Sequence, residues 1–289
     1  MQHSAEPAQI DRAFVRIAEG QVHYRTASPA KTAQPAPLPL WMIHASPASS
    51  SSLVGLVGQL GLSRRVIAPD TLGNGDSAPP AEHAPQMPYY AATALRTMDA
   101  LGIDKVDLYG SHTGAHVAIE MAIAAPQRVG RMILDGVGMF SPEETQDMLA
   151  NYAPAIEPDF FGNQFNWAWH FVRDQGWFFP YFKRDQAHLR GLDAPSPEVL
   201  HTITVEVLKS IRTYHLAYRA AFAHDDYARL PLVQTHTLVM ADESDPLKKG
   251  VEDAARLLPS AVKRYLDVDW TPAGQAYKAG VIARFFDGA

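Results

Sequence analysis

The feature that most constrains this chain is a pair of glycines in Leu108–Ala115, which reads LYGSHTGA. A short run with apolar members, Lys105–Tyr109, precedes them, and a small, apolar segment at helical spacing, Ala115–Ala125, follows. Strand, sharp turn and helix therefore come in order. In the G-x-S-x-G pattern such a turn lifts a nucleophile to the top of a sheet, and glycines flank the strained tip. Gly110 and Gly114 thus predict an elbow in an α/β fold.

The residue at the tip of this predicted elbow is His112, and Ser111 stands one position too early. Histidine titrates near neutral pH, so it places an acid–base group where a substrate would arrive. Two roles are open for it: general base toward water or a substrate proton, or direct imidazole nucleophile. The role of general base has fewer structural requirements, because it needs only a hydrogen-bonded group that orients the ring.

Three further segments join the elbow in a recognisable order. They are HASP at His44–Pro47 after an apolar strand, APDTLGNGDS at Ala68–Ser77, and TLVMADESDPL at Thr237–Leu247. Together these motifs resemble the α/β-hydrolase superfamily, in particular its capped branch of epoxide hydrolases, haloalkane dehalogenases and carbon–carbon bond hydrolases. The resemblance covers most of the chain outside its middle third. It implies an eight-stranded, mostly parallel sheet flanked by helices, with a helical cap.

The chain departs from that family at two catalytic positions. The tip of the elbow is not a serine. No histidine follows the last strand either, because the final histidine is His236 and the expected place holds Asp267–Trp270. A serine nucleophile needs a base within hydrogen-bond reach and an acid that orients the base. Ordinary serine hydrolysis by the family's triad is therefore not expected.

Carboxylates at strand ends are the candidates to orient His112. Asp245 is the first choice, because its Asp-Pro context matches the acid position of the family. Asp267 and Asp269 are the alternatives, since their loop would lie near the elbow if the fold is kept. Asp135 also follows a strand, but a turn-stabilising role is the preferred interpretation for it.

The resemblance also implies an oxyanion hole built from backbone N–H groups, at Thr113 after the elbow tip and at Ser46 in the HASP loop. His44 is the loop histidine of the family, and structural hydrogen bonding is the role expected for it. Ser111, beside the tip, is expected to contact substrate. Ala45 replaces the usual glycine of this loop, which makes its backbone less permissive.

The middle third changes character, being mostly helical and rich in aromatic residues, most densely in Phe160–Phe182. By the resemblance it forms a cap at residues 139–230, between core segments 1–138 and 231–289. We expect the rings to make an apolar, water-poor pocket, with Trp167 and Trp169 as substrate-facing candidates. For any single ring, packing within the cap's own core is the preferred interpretation.

Composition excludes several classes of function. The net charge of −6 with scattered basic residues gives no case for nucleic acid or an anionic membrane. Zero cysteines exclude disulfides and thiolate metal sites. His116 lies one helical turn after His112, but no acidic residue close by in the sequence completes a metal set, so neither metal nor cofactor is expected. The first residues lack a secretory signal and no apolar run spans a bilayer, which predicts a cytoplasmic protein.

Two functional hypotheses follow. The first is a hydrolase or lyase that acts on a small, largely apolar carbonyl or ester-type substrate and uses the elbow histidine. The second is a catalytically inactive relative of the fold that binds an apolar ligand or a partner. The oligomeric state and the substrate are left open.

Overall fold

The computed structural model describes residues 6–31, 33, 35–268 and 271–288, and within them eight strands form one sheet. The strands are β1 (Asp11–Ile17), β2 (Gly20–Ala27), β3 (Leu40–Ile43), β4 (Val66–Pro69), β5 (Val106–Ser111), β6 (Val129–Asp135), β7 (Thr237–Asp242) and β8 (Ala261–Leu266). Their spatial order is β1-β2-β4-β3-β5-β6-β7-β8. The β1–β2 and β2–β4 pairs are antiparallel, and the other neighbours are parallel. The predicted eight-stranded, mostly parallel α/β sheet is confirmed.

Ten α-helices occur in the described residues. They are α1 (Val54–Leu60), α2 (Met87–Ala100), α3 (Thr113–Ala124), α4 (Pro142–Asn151), α5 (Asn163–Trp177), α6 (Pro197–Lys209), α7 (Tyr214–Phe222), α8 (Asp226–Arg229), α9 (Gly250–Leu257) and α10 (Pro272–Asp287). Short 3-10 turns occur at Ser50–Leu53, Pro126–Arg128, Gln186–His188 and Leu230–Leu232. No described helix is long and apolar enough to cross a membrane.

Helices cover both faces of the sheet, which explains why the central strands read as continuous apolar runs. All four residues of β3 are buried. Trp41 and Ile43 belong to the hydrophobic cluster that includes α2 and α3, whereas Leu40 and Met42 belong to the cluster that includes α1 and α10. Side chains alternate between the two faces of a strand, and here both faces are buried against helices.

Residues 136–236, which we call the inserted segment, lie between β6 and β7 and carry α4 to α8. They have a hydrophobic cluster of their own. Tyr152 is at its centre, since its ring contacts six other aromatic rings: Phe171, Phe179, Tyr181, Phe182, Tyr218 and Phe222. Many of the aromatic residues therefore pack against one another. The division of the chain at residues 139 and 230 remains a prediction.

The inserted segment is tied to the loops at the carboxyl ends of the strands. Thr213 Oγ1 donates a hydrogen bond of 2.6 Å to the Gly73 carbonyl, and Lys209 Nζ lies 2.8 Å from an Asp76 carboxylate oxygen. Because the carboxyl ends of parallel strands meet at one edge, these contacts hold the segment on the side where β3, β5, β6 and β7 end.

Candidate active site

The elbow has the backbone geometry that its glycines predict. Strand β5 ends at Ser111, helix α3 begins at Thr113, and His112 stands between them with φ 48° and ψ −112°. Of the described non-glycine residues, His112 alone has a positive φ. Two backbone hydrogen bonds hold this conformation, from His112 N to the Asp135 carbonyl and from Ala115 N to the His112 carbonyl. The strained tip is therefore His112, and Ser111 belongs to the strand.

Close backbone approach explains the glycines around this tip. A β-carbon on Gly110 would lie 2.3 Å from the Gly114 carbonyl oxygen, and one on Gly114 would lie 2.4 Å from the Ile43 carbonyl oxygen. Gly136, directly after β6, has φ +71°, and its β-carbon would lie 2.2 Å from Cδ2 of His112. Gly136 was not predicted from the sequence as part of the site, because its only signal there is its place at a strand end.

The imidazole of His112 is bound to one carboxylate. His112 Nε2 lies 2.7 Å from Asp245 Oδ2, so the predicted contact between these residues is present. The His112 side chain is 37% exposed and that of Asp245 is 10% exposed. No described protein group holds the other ring nitrogen, Nδ1, in a hydrogen bond. Asp245 itself is fixed by the Leu247 N–H, which donates to its Oδ1 at 2.8 Å.

Each partner shifts the titration of the other. Burial opposes the charged imidazole, but the Asp245 carboxylate outweighs it and raises the pKa of His112 above its ordinary value. Burial likewise opposes the ionised Asp245, but the facing imidazole lowers the pKa of this carboxyl. The pair therefore favours a charge-assisted hydrogen bond when His112 is protonated.

The alternative carboxylates differ in position. Asp267 is exposed after β8, and neither a hydrogen bond nor an ion pair joins it to His112. Asp269 lies outside the described residues. Asp135 points to other partners, since its Oδ2 accepts a hydrogen bond of 2.5 Å from the Tyr109 hydroxyl. Among the described carboxylates, Asp245 is the one bonded to the ring.

A buried lysine that the sequence analysis missed lies beside the His112–Asp245 pair. Lys278 of α10 is 6% exposed, and its Nζ lies 2.8 Å from Asp135 Oδ2 and 3.0 Å from both carboxylate oxygens of Asp242. Burial opposes the ammonium, but the two carboxylates raise the pKa of Lys278 above its usual range. Asp242, the last residue of β7, therefore belongs to this ion cluster.

The predicted oxyanion donors, Thr113 and Ser46, lie just after the carboxyl ends of β5 and β3. Thr113 is the first residue of α3, so its N–H is one of the helix-start donors that have no partner within the helix. Ser46 is buried in the loop after β3. His44 uses both ring nitrogens on backbone: Nε2 accepts from the Thr71 N–H at 2.9 Å, and Nδ1 lies 2.9 Å from the Ala45 carbonyl oxygen. Burial lowers its pKa, consistent with a neutral, structural imidazole.

The two tryptophans chosen from the sequence have different surroundings. The Trp167 ring stacks on Phe171 with centroids 4.8 Å apart, inside the cluster of the inserted segment, and Trp169 is 36% exposed. No described contact joins either ring to His112. The inserted segment instead brings Arg190 to the loop after β7 that carries Asp245, which we call the acid loop. There Nη2 of Arg190 donates to the Ser244 carbonyl at 3.2 Å.

A second histidine cluster forms between α3 and the chain after α7, and its member His116 lies one helical turn past the elbow tip. Nδ1 of His116 and Nδ1 of His224 are 2.9 Å and 2.8 Å from the same oxygen, Asp226 Oδ1. Nε2 of His224 lies 2.8 Å from Glu120 Oε1, and Arg229 donates two hydrogen bonds to the Glu120 carboxylate. No metal set around His116 was predicted from the sequence, because Asp226 is 110 residues away along the chain.

Comparison with known proteins agrees with this architecture. The sequence model of a family described as alpha/beta hydrolase fold matches residues 39–272. A curated relative, 2-hydroxymuconate semialdehyde hydrolase of Pseudomonas sp. strain CF600, is 37% identical over 123 residues, which are 41% of this chain and 44% of the relative. A second, 2-hydroxy-6-oxononadienedioate/2-hydroxy-6-oxononatrienedioate hydrolase of Paraburkholderia xenovorans strain LB400, is 31% identical over 139 residues, 45% of this chain and 46% of the relative. The chain thus spans less than half the length of these relatives.

Solved structures resemble the chain over nearly its whole length. A hydrolase from Pseudomonas aeruginosa PA01 has a TM-score of 0.71 at 19% identity and covers 96% of this chain and 99% of its own. The enol-lactonase from Burkholderia xenovorans LB400 has a TM-score of 0.65 at 18% identity, with coverage of 96% and 97%. At such identities the likeness establishes the fold alone.

Proposed function

Because this chain belongs to the α/β-hydrolase fold family, we propose that it is a hydrolase or lyase of a small carbonyl or ester-type compound, with His112 as general base. The observation that carries the proposal is the 2.7 Å contact between His112 Nε2 and Asp245 Oδ2 at a strained elbow tip. Non-glycine residues with positive φ persist only where the surrounding structure holds them, and they cluster at functional sites.

The contact supports Nδ1 as the ring nitrogen that acts as the base. In the neutral imidazole Nε2 carries the hydrogen and donates it to Asp245, so Nδ1 holds the free lone pair. Nδ1 takes a proton from water or from the substrate, and the carboxylate stabilises the imidazolium that forms. A direct attack by Nδ1 is the alternative, but this nitrogen is adjacent to the carbon that bears Cβ and is the more crowded of the two.

Charge that develops on a carbonyl oxygen would be met by backbone donors. Thr113 N–H at the start of α3 and Ser46 N–H in the loop after β3 are the proposed pair. In hydrolysis the base removes a proton from water, and the oxygen of that water bonds to the carbonyl carbon. The bond between this carbon and the leaving group then breaks, and the imidazolium gives its proton to the leaving group. No acyl bond to Ser111 forms, because that residue lies in β5 rather than at the tip.

The surroundings of the site favour a compound with both apolar and anionic parts. The inserted segment, acting as a cap, would supply an apolar cover from its aromatic cluster. Arg190 places a guanidinium beside the acid loop, and its charge favours an anionic group. The similar curated proteins carry names of hydrolases that act on a semialdehyde and on oxo-dioates, so conjugated oxo acids head the candidate substrates.

A substrate screen with site variants tests the proposal. Wild type, His112→Ala and Asp245→Asn are assayed against oxo-dienoic acids, esters, lactones, epoxides and β-diketones. Loss of a general base costs roughly 10²- to 10⁴-fold in rate, so we expect kcat/KM to fall by that factor in both variants. The matched control is Asp185→Asn, which removes the carboxylate 2.7 Å from Nδ1 of His188 at an exposed site.

Two results would contradict the proposal. Unchanged turnover in His112→Ala would remove the histidine from the chemistry. Ligand binding by wild type without turnover of any class would favour the non-catalytic alternative, a binding protein that keeps the fold.

A further inference from the structure

We propose that His116, His224 and Asp226 form a site for a divalent transition-metal ion of the zinc class. The site joins the end of the inserted segment to α3, one helical turn past the elbow. No metal was predicted from the sequence, because no acidic residue close to His116 along the chain completes a set of ligands. The fold supplies the missing ligands from the turn after α7, which carries His224, and from Asp226 at the start of α8.

The donor atoms already converge on one point. Both Nδ1 atoms face Asp226 Oδ1, and the ligand atoms of the three residues all lie within 4.8 Å of one another. The side chains of His116, His224 and Asp226 are only 3%, 5% and 5% exposed. Zinc takes imidazole nitrogen and carboxylate oxygen at about 2.0–2.2 Å, so a small outward shift of the three groups accommodates it.

The group behind His224 is an independent reason to favour a metal. Glu120 Oε1 lies 2.8 Å from Nε2, the ring nitrogen that faces away from the cluster. A carboxylate on the distal nitrogen is the arrangement that orients metal-bound histidines. Arg229 holds this carboxylate with bonds of 2.6 Å and 2.7 Å, so the orienting group is itself fixed.

A second cluster of similar composition, His23 with Asp70 and Asp76, is less suited to a metal ion. Arg12 Nε donates to Nε2 of His23 at 3.2 Å, and its Nη2 lies 2.8 Å from Asp76. Lys209 Nζ also lies 2.8 Å from Asp76. Two cations therefore already occupy those ligands and would repel a third.

At the proposed site Arg229 pairs with Glu120 and not with any of the three ligands. Burial opposes the charged ring of His224, but Asp226 and Glu120 raise its pKa to about 9, so a bound ion takes the place of a proton on this ring. His116 and His224 belong to different elements, α3 and the turn after α7, so an ion bound between them would fasten the inserted segment to the helix that starts at the elbow. The expected role is structural, and binding would stabilise the folded chain whether or not the protein is an enzyme.

Zinc binding to the whole chain tests the proposal without any activity assay. Chelator-treated wild type is titrated with ZnCl2 by calorimetry, and with CoCl2 by visible absorption, which reports the coordination geometry. We expect one equivalent of each ion to bind. At a free zinc concentration about 100-fold above Kd, we expect the melting temperature to rise by about 5 °C.

Variants assign the binding to this cluster. Asp226→Asn is expected to lose stoichiometric binding, and Glu120→Gln to weaken it by about 10- to 100-fold. The matched control is His188→Gln, which removes an exposed histidine that has a carboxylate partner but no third ligand. It is expected to bind like wild type.

Absence of stoichiometric zinc and cobalt binding by wild type overturns the proposal, and this result does not depend on how any variant folds. Equal zinc affinity of folded Asp226→Asn and wild type overturns it as well. If only His188→Gln loses the bound ion, the ion sits at the surface and the buried site is refuted.

Discussion

Replacing Gly136 by alanine perturbs the proposed catalytic pair without changing either of its members. A β-carbon there would lie 2.2 Å from Cδ2 and 2.4 Å from Nε2 of His112, and 2.7 Å from Asp245 Oδ2. These separations are far below contact distance, so the ring must move and its hydrogen bond to Asp245 must break. The matched control is Gly102→Ala, because Gly102 has φ +66° but nothing within 4 Å of an added β-carbon.

The two substitutions share one cost and differ in another. Each places an alanine in the left-handed region, which destabilises the fold by about 1–2 kcal/mol. Gly136→Ala also loses a hydrogen bond between charged groups, worth roughly 1.5–3 kcal/mol. We therefore expect Gly136→Ala to lose about 2.5–5 kcal/mol in the free energy of unfolding, against about 1–2 kcal/mol for Gly102→Ala.

Urea unfolding measures the stabilities, and NMR titration of the His112 ring together with kcat/KM reports on the pair. In folded Gly136→Ala we expect the pKa of His112 to fall toward its ordinary value and kcat/KM to drop by about 10²- to 10⁴-fold. Gly102→Ala should retain both. Equal behaviour of the two variants in pKa and turnover would refute the argument that Gly136 makes room for the pair.

The remaining predictions concern pH, labelling and stability. Since the base must be neutral, turnover should rise as pH increases through the raised pKa of His112. The stability that comes from the pairing with Asp245 has the opposite dependence: it is complete below the unfolded-state pKa of about 6.5 and is lost as pH rises through the folded-state pKa. Unfolding measured across this pH range checks the second expectation. Serine-directed organophosphates should leave Ser111 unlabelled by mass spectrometry, and stoichiometric labelling would contradict the elbow register. Lys278→Met should lower the free energy of unfolding by about 3–5 kcal/mol because it leaves buried carboxylates without their cation. Lys263→Met, at an exposed ion pair, should lower it much less. Equal losses in urea unfolding would contradict the argument from burial.

Local pattern was enough to predict the position of the tip, and the motifs of the chain predicted the fold through the family that they resemble. The glycines of Leu108–Ala115 have a meaning that does not depend on distant residues, because a β-carbon at either would collide with nearby backbone. Continuous apolar runs such as Leu40–Ile43 indicate a strand that is buried on both faces. The first choice of Asp245 rested on the motif around it, and the fold brings that residue to His112.

Only the tertiary structure decided which distant side chains meet. Lys278 looks like any lysine in a helix, and its burial between two carboxylates follows from the packing of α10 against the ends of β6 and β7. Asp226 stands 110 residues from His116, and Trp167 and Trp169 differ in burial although both lie on α5. Periodicity describes one element at a time, whereas such contacts depend on how separate elements are arranged in space.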